Sequence, residues 1–136
     1  MKKIIIVFLT ICTCACLLCA CSIGESKTEK LRDLDFTVVS DDRLPEELKA
    51  ILEEKKQNEF KITFQDDKYL YICMGYGQQQ TGGYSVSVKE LYLTENAIYV
   101  DTDLLGPSAS ETIAKTPSYP YIVIKIEYLD KTVVFQ

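Results

Sequence analysis

The chain has 136 residues, with 15 Lys and Arg against 20 Asp and Glu, a formal charge of −5, and no histidine. An acidic balance without a basic stripe excludes a nucleic-acid binder, which has to neutralise phosphates. The missing imidazole excludes Ser-His-Asp and Cys-His catalysis and any His-ligated zinc site.

The N-terminus opens with Lys2 and Lys3, followed by an uncharged stretch of 17 residues from Ile4 to Ala20. A short basic region, an apolar region and a small residue at a cut site are the layout of a secretory leader. Five of the six cysteines fall within residues 1–21, and the last of these closes Leu18-Cys19-Ala20-Cys21. That tetrapeptide resembles a bacterial lipobox. The resemblance implies a signal peptide over residues 1–20, cleavage after Ala20 and a diacylglyceryl group on Cys21. The protein is then expected as a lipid-anchored lipoprotein on the extracytoplasmic side of a bacterial membrane. Two other readings exist for this stretch. As an uncleaved span it sits at the low edge of the roughly 17–25 residues needed, and no basic cluster follows it. As a metal cluster, Cys12, Cys14, Cys16, Cys19 and Cys21 lack the turn-spaced arrangement of structural sites. Thr13-Cys14-Ala15-Cys16 is a poorer cut site, with Thr in place of Leu.

Cleavage would remove Lys2 and Lys3 and no acid, taking the charge from −5 to −7. Such a domain does not adhere to anionic headgroups, so the lipid has to hold it. Residues 21–34 are polar and aperiodic and are expected to form a flexible tether. Residues 35–136 are expected to be one domain.

Within that domain, Asp35–Val39 reads as a first strand with Phe36 and Val38 on one face. Pro45, Glu46 and Glu47 gather in a first helical turn, and Leu44, Leu48, Ile51 and Leu52 recur at helical spacing up to Lys55-Lys56. The spacing predicts one amphipathic helix over about residues 45–57. Alternation then takes over. Phe60–Phe64 and Tyr69–Met74 form a hairpin across Asp66-Asp67. Tyr84–Leu93 carries Val86 and Val88 on one parity and Leu91 and Leu93 on the other, which predicts a bulge near Lys89-Glu90. Thr94-Glu95-Asn96 turns into Ala97–Thr102. After a polar segment over residues 103–118 come Tyr121–Glu127, with Ile122, Ile124 and Ile126 inward, and Thr132–Phe135. The expected fold is mainly β (α+β): an antiparallel sheet or small β-sandwich of six or seven strands with one amphipathic helix.

Little in the domain points to chemistry. With Cys21 acylated, Cys73 alone cannot form an internal disulfide, and it lies in a strand that buries it. The pairs Asp41-Asp42, Glu46-Glu47 and Asp66-Asp67 suit solvated turns. Asp101 and Asp103 share one side of a strand end but lack the loop of a calcium site. Gly75-Tyr-Gly77 lacks the helix and lysine of a phosphate loop. No enzyme activity, cofactor, metal or small-molecule substrate is expected.

Residues 75–86, Gly-Tyr-Gly-Gln-Gln-Gln-Thr-Gly-Gly-Tyr-Ser-Val, and the later Ser-Tyr-Pro-Tyr-Ile-Val-Ile-Lys-Ile over residues 118–126 resemble the PrcB C-terminal domain family. In that family a strand leads through a polar loop to Thr-Gly-Gly-Tyr, and Pro-Tyr opens a late strand. The resemblance covers roughly residues 35–135, including the helix opening Leu-Pro-Glu-Glu-Leu. The family is named after a lipoprotein subunit of a surface serine-protease complex. It therefore implies a non-catalytic accessory domain whose partner is a protease or another envelope protein. A fainter likeness is to chagasin-type protease inhibitors, which present Asn-Pro-Thr-Thr-Gly and Arg-Pro-aromatic loops in the same order. Here Asn-Pro is missing and Tyr119 replaces Arg. A structural envelope lipoprotein without a protein ligand is the third reading.

The residues singled out for partner binding are Tyr76, Thr81, Gly82, Gly83, Tyr84, Tyr119, Pro120 and Tyr121. Tyrosine offers rigid apolar area plus a hydroxyl, which favours interfaces. The same residues also have scaffold readings: paired glycines permit tight entry into a strand, and tyrosines pack across strands.

The leader generates one prediction. Membrane-extracted protein should have lost residues 1–20 and gained the mass of a diacylglyceryl group, whereas Cys21→Ala should be neither cleaved there nor retained in the membrane. Intact-mass spectrometry of both forms checks it.

Overall fold

The structure, a computed structural model, describes residues 29–110 and 112–136. The expected signal peptide over residues 1–20 and the expected lipidation site Cys21 lie outside the described residues. The strands are β1 (Lys30–Asp33), β2 (Thr37–Val38), β3 (Glu59–Gln65), β4 (Tyr69–Tyr76), β5 (Ser85–Thr94), β6 (Ala97–Leu105), β7 (Tyr121–Glu127) and β8 (Thr132–Phe135), with one helix, α1 (Glu46–Lys55). They form two four-stranded sheets, ordered β1-β5-β6-β8 and β2-β7-β4-β3. Every pairing is antiparallel except β6 with β8. Among the described residues the fold is thus the expected mainly-β sandwich with one α-helix, built from eight strands where six or seven were expected.

Side-chain parity along β4 and β7 builds the layers. Leu70, Ile72 and Met74 of β4 and Ile122, Ile124 and Ile126 of β7 face the other sheet. There they meet Leu91 and Leu93 of β5 and Ile98 and Val100 of β6, all buried. The opposite parity, Tyr71, Cys73 and Val123, faces the helix and packs with Leu44, Leu48, Leu52 and Phe60. The protein therefore has three layers, sheet on sheet on helix, with β4 and β7 buried on both faces.

Local chemistry sets the element ends. Helix α1 starts after Pro45, with Glu46 and Glu47 in its first turn and Lys55 in its last, each sign favoured by the helix dipole. Its buried residues are Leu48 and Leu52, one turn apart. The β3–β4 turn is held by Asp66, whose Oδ1 accepts the Lys68 and Tyr69 backbone N–H groups at 2.9 and 2.7 Å. Those two bonds hold its carboxyl below the usual carboxylate range. The β5–β6 ladder shifts register between Val88 and Glu90, the bulge that the parity change requires. Lys89 Nζ lies 3.6 and 3.9 Å from the carboxylates of Asp101 and Asp103, so its ammonium faces that pair. Among the described residues no group of three acids or cysteines gathers to hold a metal, and no helix is long and apolar enough to cross a membrane.

Two features differ from the alternation pattern. The sheet reaches further toward the N-terminus than Leu34, because Lys30–Asp33 pairs with Tyr92–Thr94 of β5. All four side chains of β1 are exposed, so backbone pairing holds it without an apolar face. At the other terminus, β8 does not continue the sheet that contains β7. The turn after β7, with Lys131 N–H donating to the Leu129 carbonyl at 2.8 Å, carries the chain to the second sheet, where β8 runs parallel to β6.

Cys73 is fully buried between β4 and the helix, and burial pushes its thiol up to about 12 from 9.0. It should resist a thiol reagent in the native protein and react once unfolded. Between about pH 9 and 12 the unfolded chain releases this proton while the folded chain keeps it, so its share of stability falls as pH rises across that window. Urea midpoints measured against pH should show a smaller alkaline loss for Cys73→Ala than for the native chain.

Candidate binding cleft

The β4–β7 pair does not stop at its last ladder pairing, Gly75 with Tyr121. Tyr76 N–H donates to the Pro120 carbonyl at 3.1 Å, and Gln79 and Ser118 exchange both backbone bonds at 2.8 and 3.0 Å. Beyond them, Gly82 N–H donates to the Ala114 carbonyl at 2.9 Å. Ser118 Oγ donates to the Thr81 carbonyl at 2.6 Å. The two loops singled out in the sequence are therefore one backbone-paired ribbon projecting from the two central strands.

Glycine is required at two points in this ribbon. Gly77 and Gly83 have φ of 73° and 86°, conformations that L side chains rarely adopt. Gly82 carries no such demand; a Cβ there would meet Ala114 Cβ at an ordinary 3.5 Å. All peptide bonds of the described residues are trans, Tyr119-Pro120 included.

Strands β5 and β7 belong to different sheets, yet they run the same way, so their entry residues emerge together at one end of the sandwich. Between them the sheets part into an open cleft of about 650 Å³. Its walls are Tyr84 and Ser85–Val88 of the first sheet, and Tyr119–Val123 with Phe36 and Val38 of the second. Tyr84, Tyr119, Pro120 and Tyr121 all line it. Asp41 is the one charged residue in its lining, and its Oδ1 accepts the Tyr121 hydroxyl at 2.7 Å. Burial, then the nearby Asp41 carboxylate, raise the Tyr121 hydroxyl above its ordinary pKa and keep it a neutral donor. Tyr119 lies under the Lys56 ammonium, 5.8 Å from its ring centroid.

The remaining residues sit differently. Thr81 and Gly82 stand in the ribbon, and Thr81 Oγ1 donates to the Gly82 carbonyl at 3.2 Å. Tyr76 is turned away from the cleft. Its hydroxyl meets Thr102 Oγ1 at 2.6 Å and the Thr102 carbonyl at 3.0 Å, a bridge between the sheets. That position follows the parity of Leu70, Ile72 and Met74, which already points Tyr76 at the opposite sheet.

Sequence reasoning missed the far wall. Phe36 and Val38 share a face, as alternation requires, but they are 41% and 57% exposed at the cleft mouth. Their polar neighbours Asp35 and Thr37 gave no signal that the apolar face would stay uncovered.

The described residues thus form a helix-backed β-sandwich with a tyrosine-rimmed cleft at one end. Residues 70–127 match the family model described as PrcB C-terminal, the family that the sequence resembles. The matched stretch runs from β4 through β7 and contains the whole ribbon. The helix and β2 fall outside it. No curated protein and no solved structure matched the chain.

Tyr76 should behave as scaffold. Tyr76→Phe removes a hydroxyl that satisfies buried Thr102, and it should cost about 1 kcal/mol of stability. A lower thermal midpoint with unaltered partner binding is the expected result.

Proposed function

We propose that this protein is a non-catalytic accessory lipoprotein that docks on a partner protein through the cleft end of its sandwich. The partner is a surface protease or another envelope protein. The observation that carries this reading is the convergence of Tyr84, Tyr119, Pro120 and Tyr121 on one open cleft, fixed by the backbone ribbon between residues 76–82 and 114–120. Rigid tyrosines around a hollow whose one charged lining residue is Asp41 supply apolar area with hydroxyls at its edge, the composition favoured at interface centres. The matched family, named after a protease-complex subunit, supports the choice of partner class.

Orientation supports it as well. β1 leaves the sheet at Lys30, opposite Thr94 at the far end of β5 from Tyr84. Anchored through Cys21, the domain would therefore present its cleft away from the membrane.

One observation favours inhibition as a second reading. Thr81–Tyr84 and Tyr119–Tyr121 emerge side by side, as the two loops of a chagasin-type inhibitor must. Loss of protease activity on titration with the domain would distinguish blocking from docking.

Tyr119→Ala and a Thr81→Ala/Tyr84→Ala pair test the site. If an interface tyrosine is a hot spot, its truncation should cost about 2 kcal/mol or more in partner binding with little change in thermal midpoint. Lost stability with binding retained per folded molecule would place the interface elsewhere.

A further inference from the structure

The cleft is bordered by unpaired strand edges as well as by side chains. β1 covers β5 only at Tyr92–Thr94, and the last bond on that side runs from Leu34 N–H to the Leu91 carbonyl. Upstream of the bulge, Ser85–Val88 has β6 on one side and, among the described residues, no strand on the other. Across the gap, β2 covers β7 at Lys125 and Ile124, and Val39 N–H caps the Val123 carbonyl. The chain then leaves, so Tyr121, two residues upstream and of the same parity, turns its backbone toward the same open side. Unpaired strand edges are templates for another extended chain, and proteins usually blunt them. Here the bulge and Lys89 blunt the edge beyond Val88. About 13 Å of strand, four residues, stays open beside the cleft.

Resting on the docking reading above, we propose that the cleft takes an extended peptide segment of the partner, added as a strand along Ser85–Val88. Alternate side chains of that peptide would enter the hollow between Val86, Val88, Phe36 and Val38. The lining is uncharged apart from Asp41, whose carboxylate is already engaged by Tyr121. The segment is therefore neutral, with aliphatic or aromatic residues at alternate positions.

The test uses the full chain in detergent and a displayed library of random octapeptides. The best binder is then synthesised in two N-methylated forms, one for each set of alternate amides. Strand addition predicts enrichment of alternating apolar peptides and amide shifts at Ser85–Val88. One N-methylated register should bind about tenfold more weakly while the other is unaffected, because only alternate amides face the edge. Val38→Lys should also weaken binding without lowering the thermal midpoint. Equal binding of both registers, with shifts at Tyr84 and Tyr119, would overturn strand addition while leaving the docking reading standing. No enrichment, or shifts confined to other surfaces, would overturn it as well. Concentration-dependent dimers with Ser85–Val88 shifts in the absence of peptide would overturn it in favour of a second copy. The docking reading itself fails separately, if Tyr119→Ala leaves partner binding unchanged.

Discussion

The β4–β7 ladder is the constraint on which the rest of the molecule depends. Its seven register pairs, from Tyr69 with Glu127 to Gly75 with Tyr121, place apolar side chains on both faces of both strands. One face is the floor of the core between the sheets and the other is the seat of the helix. A single slip in register would exchange the two sets, sending Ile72 toward the helix and Cys73 toward β5 and β6. The same ladder extends into the ribbon that positions the tyrosines. The pairing that builds the core is thus also the pairing that aims the site.

The cleft lies where the two sheets stop being matched in length. Between them, the core fills with branched aliphatics from Leu91 to Val100 on one side and Ile122 to Ile126 on the other. Toward Ser85 and Tyr121 the covering strands β1 and β2 have already ended. The side chains there, Val86 and Val88, are only partly buried. Close packing opposes such a gap, and so does the usual blunting of strand edges. An open end in an otherwise dense sandwich therefore stands out as the surface not committed to the fold. Close contact elsewhere shows the contrast: a Cβ added at Gly75 would lie 2.1 Å from the buried Phe60 ring.

Much of this was legible in the sequence, for identifiable reasons. β7 and β8 have the bounds that alternation gives, because Pro120 directly precedes the first and Asp130-Lys131 turns the chain into the second. The bulge was legible because Val86 and Val88 disagree in parity with Leu91 and Leu93. The helix followed from Leu44, Leu48, Ile51 and Leu52. β1 left no trace, since a strand of exposed side chains has no apolar rhythm to read. The parallel pairing of β8 with β6 was also hidden, because alternation tells which face is buried but not which strand lies alongside. At the site, the two loops were found from their glycines and tyrosines. Their union into one ribbon was not, since it rests on backbone bonds that no side chain announces. The Phe36–Val38 wall stayed hidden for the complementary reason: apolar alternation signals burial, and here it borders an opening.

The topology also sets an order of assembly. β1 and β2 are made first, yet Thr37 pairs with Lys125 and Asp33 with Tyr92. Neither strand has a partner until most of the chain exists, and closing loops of that length carries an entropic cost before any contact is gained. The hairpins β3–β4 and β5–β6 close locally and can form ahead of them. Hence, of the described strands, the two made first are fixed last. Through the whole of that interval the backbone groups of β5 and β7 that they will cover stay open to water.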